Sequence, residues 1–148
     1  GGSGADTIIG GAGVDTLTGG AAGAGFDNAS DNFVFSSTDV DTNPPPFATD
    51  TITDFEAVDR ITGSFGAGTA TNTSISSSSF ASYSDLISAA DTALNGTVKY
   101  YFGSVAADSY LLADGNGVGI TDVIKLTNNA VNSFSDPTTG FQGYQNII

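Results

Sequence analysis

The chain opens Gly1-Gly2-Ser3-Gly4-Ala5-Asp6-Thr7-Ile8-Ile9, continues Gly10-Gly11-Ala12-Gly13-Val14-Asp15-Thr16-Leu17-Thr18, and restarts at Gly19-Gly20-Ala21. Both complete copies have the form G-G-x-G-x-D-x-U-x, where U is apolar (Ile8 and Leu17). Ten of the first 25 residues are glycine. In a regular element each glycine costs about 0.5–1 kcal/mol of extra chain entropy, so this stretch needs outside help to hold a fold. A hard divalent cation supplies that help: calcium takes six to eight oxygen ligands, readily from carboxylates and backbone carbonyls. Asp6 and Asp15 offer the carboxylates, glycine-rich turns offer carbonyls, and Thr7-Ile8-Ile9 and Thr16-Leu17-Thr18 read as short β-branched strands.

This nonapeptide resembles the calcium-binding repeat of RTX (repeat-in-toxin) proteins. In that family two nonapeptides make one coil of a parallel β-roll, so turns one and three stack on one edge with calcium between them. The resemblance implies that carbonyls of Gly1 and Ser3, with Asp6, face the turn beginning Gly19-Gly20, and that Gly10, Ala12 and Asp15 lie on the opposite edge. The third copy is interrupted: Gly20 is followed by an inserted stretch, and the strand-like Asp31-Asn32-Phe33-Val34-Phe35 comes late. Either Asp27 or Asp31 holds the third ligand position.

Composition narrows the chemistry. Across 148 residues the net charge is −13, and the only cations are Arg60, Lys99 and Lys125. All but one of the sixteen acids are Asp, which is short and suited to turns. Such a surface is a poor partner for nucleic acid. No apolar run approaches the ~18 residues of a membrane span. Without Cys or His, disulfides, thiolate or imidazole metal sites and the usual nucleophile–base pairs are excluded. No enzyme motif is present, so a non-catalytic chain is expected. Two intact repeats are few for a self-standing roll, and the sequence is read as the end of a larger protein.

Residues 36–49 read as a loop, since Pro44-Pro45-Pro46 forbids helix and central strand; Asp39 and Asp41 within it are solvated or ligate a cation. The segment Asp50-Thr51-Ile52-Thr53-Asp54-Phe55-Glu56-Ala57-Val58-Asp59-Arg60-Ile61 is similar to the one that follows the last repeats in serralysin-type RTX domains. Val58 replaces the family's usual glycine. By that resemblance Asp50, Asp54 or Asp59 completes the last calcium site opposite Asp15; alternatively Asp59 pairs with Arg60 or solvent. The Ser/Thr-rich stretch 62–82 reads as exposed loop or edge strands.

A helix is predicted from about Ser84, its N-cap, to Asn95, with Leu86, Ile87, Ala90 and Leu94 on one face covering the open end of a β core. Strands are predicted at 98–102, 109–113 and 123–126. The connection Asp114-Gly115-Asn116-Gly117-Val118-Gly119-Ile120-Thr121-Asp122 starts like an EF-hand loop, but Val118 and Lys125 break the pattern and a glycine-rich hairpin loop fits better. The tail from Asn129 has no basic residue and ends Asn146-Ile147-Ile148, which resembles an uncleaved type I secretion signal.

The expectation is therefore an all-β chain. A short calcium-binding parallel β-roll and its closing segment would occupy residues 1–61. An antiparallel β-sandwich-like cap with one α-helix and the secretion signal would occupy 62–148. The implied partners are calcium and a type I secretion apparatus, and the implied location is outside the cell or at its surface. Self-association as a surface-layer, adhesin or filament module is the alternative function.

Overall fold

The computed structural model describes residues 1–20, 27–35, 49–63, 66–127, 135–136, 141–142 and 146–148. The loop carrying Asp39 and Asp41 lies outside them, as does most of the tail.

The fold is mostly strands with one short helix. Its first five strands are Thr7–Ile9 (β1), Thr16–Leu17 (β2), Asn32–Val34 (β3), Asp50–Ile52 (β4) and Arg60–Thr62 (β5). They alternate between two sheets. β1, β3 and β5 pair in parallel, with Ile8 beside Phe33 and Phe33 beside Ile61. β2 pairs in parallel with β4, Leu17 beside Ile52. The central residues of β3 and β5 and the last residues of β2 and β4 turn inward, and Leu17, Phe33, Ile52 and Ile61 join one buried cluster with Phe35 and Phe55.

The second sheet continues past β4. Thr73–Ile75 (β6), Tyr100–Val105 (β7), Asp108–Ala113 (β8) and Asp122–Leu126 (β9) complete six strands in the order β2-β4-β9-β8-β7-β6. β4 and β9 are parallel, β9-β8-β7 antiparallel, and β7 and β6 parallel again. The sheet is mixed. The repeat strand β2 and the hairpin strands β7–β9 share it. Two-residue strands Ser135–Asp136 (β10) and Phe141–Gln142 (β11) form a separate antiparallel pair.

Helix α1, Tyr83–Ala93, has its cap two residues before the expected one. Ser82 is the N-cap: its Oγ accepts the N–H of Asp85 at 3.2 Å and donates to Asp85 Oδ2 at 2.8 Å. Leu86, Ala90 and Leu94 are buried against Tyr101, Leu112 and Val123. The helix thus lies on the face of the six-stranded sheet, not over an open end. Gly103 in β7 permits this, because a Cβ there would run into Leu86 Cδ1 and come within 3.2 Å of the Phe80 ring. No described helix is long and apolar enough to cross a membrane.

The last residues return to the first sheet. Ile147 bridges Ile61 in parallel and is 2% exposed. Ile148 N donates to Ile61 O at 2.9 Å, and Gly68 N to Ile147 O at 2.9 Å. Asn146, also buried, donates its side-chain amide to Asp59 O at 2.6 Å and Ala57 O at 3.0 Å.

Candidate metal centre

Because β1, β3 and β5 are in register, the residues just before them stand side by side. These are Asp6, Asp31 and Asp59. Asp31 Oδ1 accepts the N–H of Asp6 at 2.8 Å, and Asp59 Oδ1 accepts the N–H of Asp31 at 2.9 Å. Asp59 Oδ2 also takes Glu56 N at 2.7 Å. On the opposite edge Asp50 Oδ1 accepts Asp15 N at 2.8 Å. Two ladders of carboxylates result, one along each edge.

The turns close on these carboxylates. Gly2 N donates to Asp6 Oδ2 at 2.7 Å. A Cβ on Gly10 would lie 2.9 Å from Asp15 Oδ2, and one on Gly19 would strike the Asp31 carboxylate. The fourth-position glycines, Gly4 (φ 105°) and Gly13 (φ 113°), occupy the left-handed region that excludes most side chains. Ser3 and Ala12 are exposed on their turns.

Register decides between the two third-repeat candidates. Asp31 is the equivalent of Asp6. Asp27 instead accepts Gly4 N at 3.3 Å and Ala29 N at 2.9 Å, outside the main ladder. Glu56, which the sequence did not single out, continues that outer line by accepting the N–H groups of Asp27 (3.1 Å) and Asn28 (2.9 Å). Five acids therefore share this edge.

The three candidates for the site opposite Asp15 separate. Asp50 stands beside Asp15, whereas Asp59 belongs to the other edge with Asp31. Asp54 binds the third turn, its two oxygens accepting Gly19 N and Gly20 N at 2.8 Å each. Arg60 meets backbone and not the Asp59 carboxylate: its Nη1 donates to the carbonyls of Val58 at 3.1 Å and Asp59 at 3.3 Å. Val58 is accommodated because its φ is not positive, so the turn there does not require glycine.

The electrostatics are unfavourable for a bare carboxylate at Asp59. Asp59 is 1% exposed. Burial pushes its carboxyl up to about 6; the charges of Asp31 and Glu56 push the same way, against the N–H donors of Glu56 and Asp31. On the second edge Asp15 Oδ2 is buried without a hydrogen-bond partner.

No protein-family model, curated protein or solved structure matches this chain. Its chemistry is carried by the residues alone. Among the described residues no three acidic side chains converge closely enough to cage a metal ion by themselves. Any cation here would draw on carbonyl oxygens of the glycine turns as well as on Asp6, Asp31 and Asp59, or on Asp15 and Asp50.

Proposed function

We propose that this chain is a non-catalytic calcium-binding module of the RTX type, from an exported protein that folds when it meets extracellular calcium. The observation that carries this is the register of Asp6, Asp31 and Asp59 across three parallel strands, with glycines packed against the carboxylates of Asp6 and Asp31. The alternation of β1 to β5 between two sheets is the path that a short parallel β-roll would take. Stacked carboxylates repel; calcium neutralises them and satisfies buried oxygens such as Asp15 Oδ2. Because the ion binds the folded chain and not the unfolded one, its binding free energy becomes folding free energy. A chain of net charge −13 would then stay extended where calcium is scarce, as passage through a type I secretion apparatus requires, with the carboxyl-terminal tail as the signal.

Calcium titration followed by circular dichroism, with reversal by EDTA, tests this. β signal should rise with calcium and fall with chelator. A full signal in EDTA, unmoved by millimolar calcium, would refute it.

One observation favours a second role. Among the described residues β1 and β2 are edge strands of their sheets, and Ile9 in β1 and Val14 just before β2 are 66% and 63% exposed. Open edges of this kind recruit further strands, as a surface-layer, adhesin or filament module would use. Calcium-dependent oligomers in sedimentation would support that role, and a monomer at millimolar calcium would oppose it.

A further inference from the structure

The β8–β9 hairpin contains a buried carboxylate that neither ladder uses. Asp114, directly after β8, is 2% exposed. Its Oδ1 accepts three N–H groups, from Asn116 (3.2 Å), Gly117 (2.6 Å) and Val118 (3.2 Å), so residues 115–118 wrap around it. Three donors on one oxygen suit a charged carboxylate. Its Oδ2 is equally buried and has no hydrogen-bond partner. A charged oxygen removed from water and left unpaired calls for a ligand.

The surroundings favour a cation. The Asn116 side-chain oxygen is folded into the same loop, accepting Val118 N at 2.8 Å. Asp91 of α1 borders it from outside: a Cβ on Gly119 would lie 2.8 Å from Asp91 Oδ1. The chain from Tyr100 to Ile124 carries no Lys or Arg, and Lys99 meets Asp114 through its carbonyl, which accepts Asp114 N at 2.8 Å.

We propose that this hairpin loop is a calcium site separate from the ladders, with Asp114 Oδ2 as its anchoring ligand and the Asn116 side chain, loop carbonyls and water completing the shell. It is not an EF-hand: Val118 stands at the fifth position and Lys125 at the twelfth. With one firm carboxylate it belongs with weak extracellular sites, whose dissociation constants are about 0.1–1 mM.

The test is equilibrium dialysis of the full chain in saturating calcium, with amide NMR of the same samples. Asp114→Asn keeps the acceptor for the three N–H groups and removes the charge. It should bind one calcium ion fewer than the parent and lose the calcium-induced shifts of Asn116, Gly117 and Val118, while Asp6 and Asp31 respond as before. Asp31→Asn should do the reverse, so loss of the ladder sites and loss of the loop site are told apart. If Asp114→Asn fails to fold, Asn116→Ala decides: it should raise the calcium concentration needed to shift the loop amides several-fold. Equal stoichiometry in parent and Asp114→Asn, or loop amides unmoved by calcium in the parent or unaffected by Asn116→Ala, overturns the site.

Discussion

Asp31 and Asp59 hold the same position one strand apart, and each carboxylate accepts the N–H of the aspartate before it in the stack: Asp59 that of Asp31 at 2.9 Å, Asp31 that of Asp6 at 2.8 Å. Each side chain is thus fixed by a residue roughly 25 to 28 positions away. The same arrangement gathers negative charge along one edge, most severely at buried Asp59.

The pH dependence of the metal-free fold follows. Asp59 holds its proton up to about pH 6 when folded, against 3.8 ordinarily. Between those values the folded chain binds a proton that the unfolded chain has released. Stability from this group is therefore full below about pH 4 and is lost as pH rises through 6, a loss on the order of 3 kcal/mol. Acid should therefore stand in partly for calcium: in EDTA the β signal should be larger at pH 4 than at pH 7, and Asp59→Asn should flatten that difference. Identical pH profiles for the two proteins would count against the buried acid.

Asp31→Ala should destabilise far more than Asp27→Ala. The first strands the N–H of Asp6 and removes a 2%-exposed group from the stack, which costs about 1–3 kcal/mol. Asp27 is half-buried and its bond to Gly4 is long, so its loss should stay within about 1 kcal/mol. Chemical denaturation of both variants compares them directly.

Gly19→Ala should be costly and Gly2→Ala nearly silent. A methyl at Gly19 meets the Asp31 carboxylate and lies 3.3 Å from the Phe33 ring, whereas at Gly2 its nearest neighbour is 3.9 Å away. Overpacking of the first kind costs about 1–3 kcal/mol. Thermal unfolding of the pair separates steric need from glycine content.

Asn146→Ala should leave the carbonyls of Ala57 and Asp59 without their side-chain donor in a buried place. The expected loss is about 1–3 kcal/mol, with faster hydrogen exchange at Ile148, whose N–H is held by Ile61. Unchanged exchange there would mean that the tail is anchored by Ile147 alone.

Much of the architecture was legible locally. Alternating Thr and aliphatic residues marked β1, β2 and β4, and aromatic or β-branched runs marked β8 and β9. The helix face was legible from Leu86, Ala90 and Leu94, but its start was not: Ser82 and Ser84 are equally good caps in sequence, and the reciprocal bonds with Asp85 select Ser82. The candidate site was half legible. Spacing identified Asp6 and Asp15, yet choosing Asp31 over Asp27, or placing Asp50 and Asp59 on opposite edges, requires the register of strands far apart in the chain. Nothing local announces that Asp50–Ile52 pairs in parallel with Ile124–Leu126, so the mixed sheet was beyond reach.

The seating of Ile147 on Ile61 has a bearing on when this chain can fold. The first sheet receives its outer partner only after residues 146–148 have been synthesised, 86 positions behind the strand they join. Contacts so distant in sequence form late and slowly. A ribosome-bound chain lacks that partner until residues 146–148 have emerged. Late closure of the sheet would lengthen the interval in which the polypeptide is still pliable.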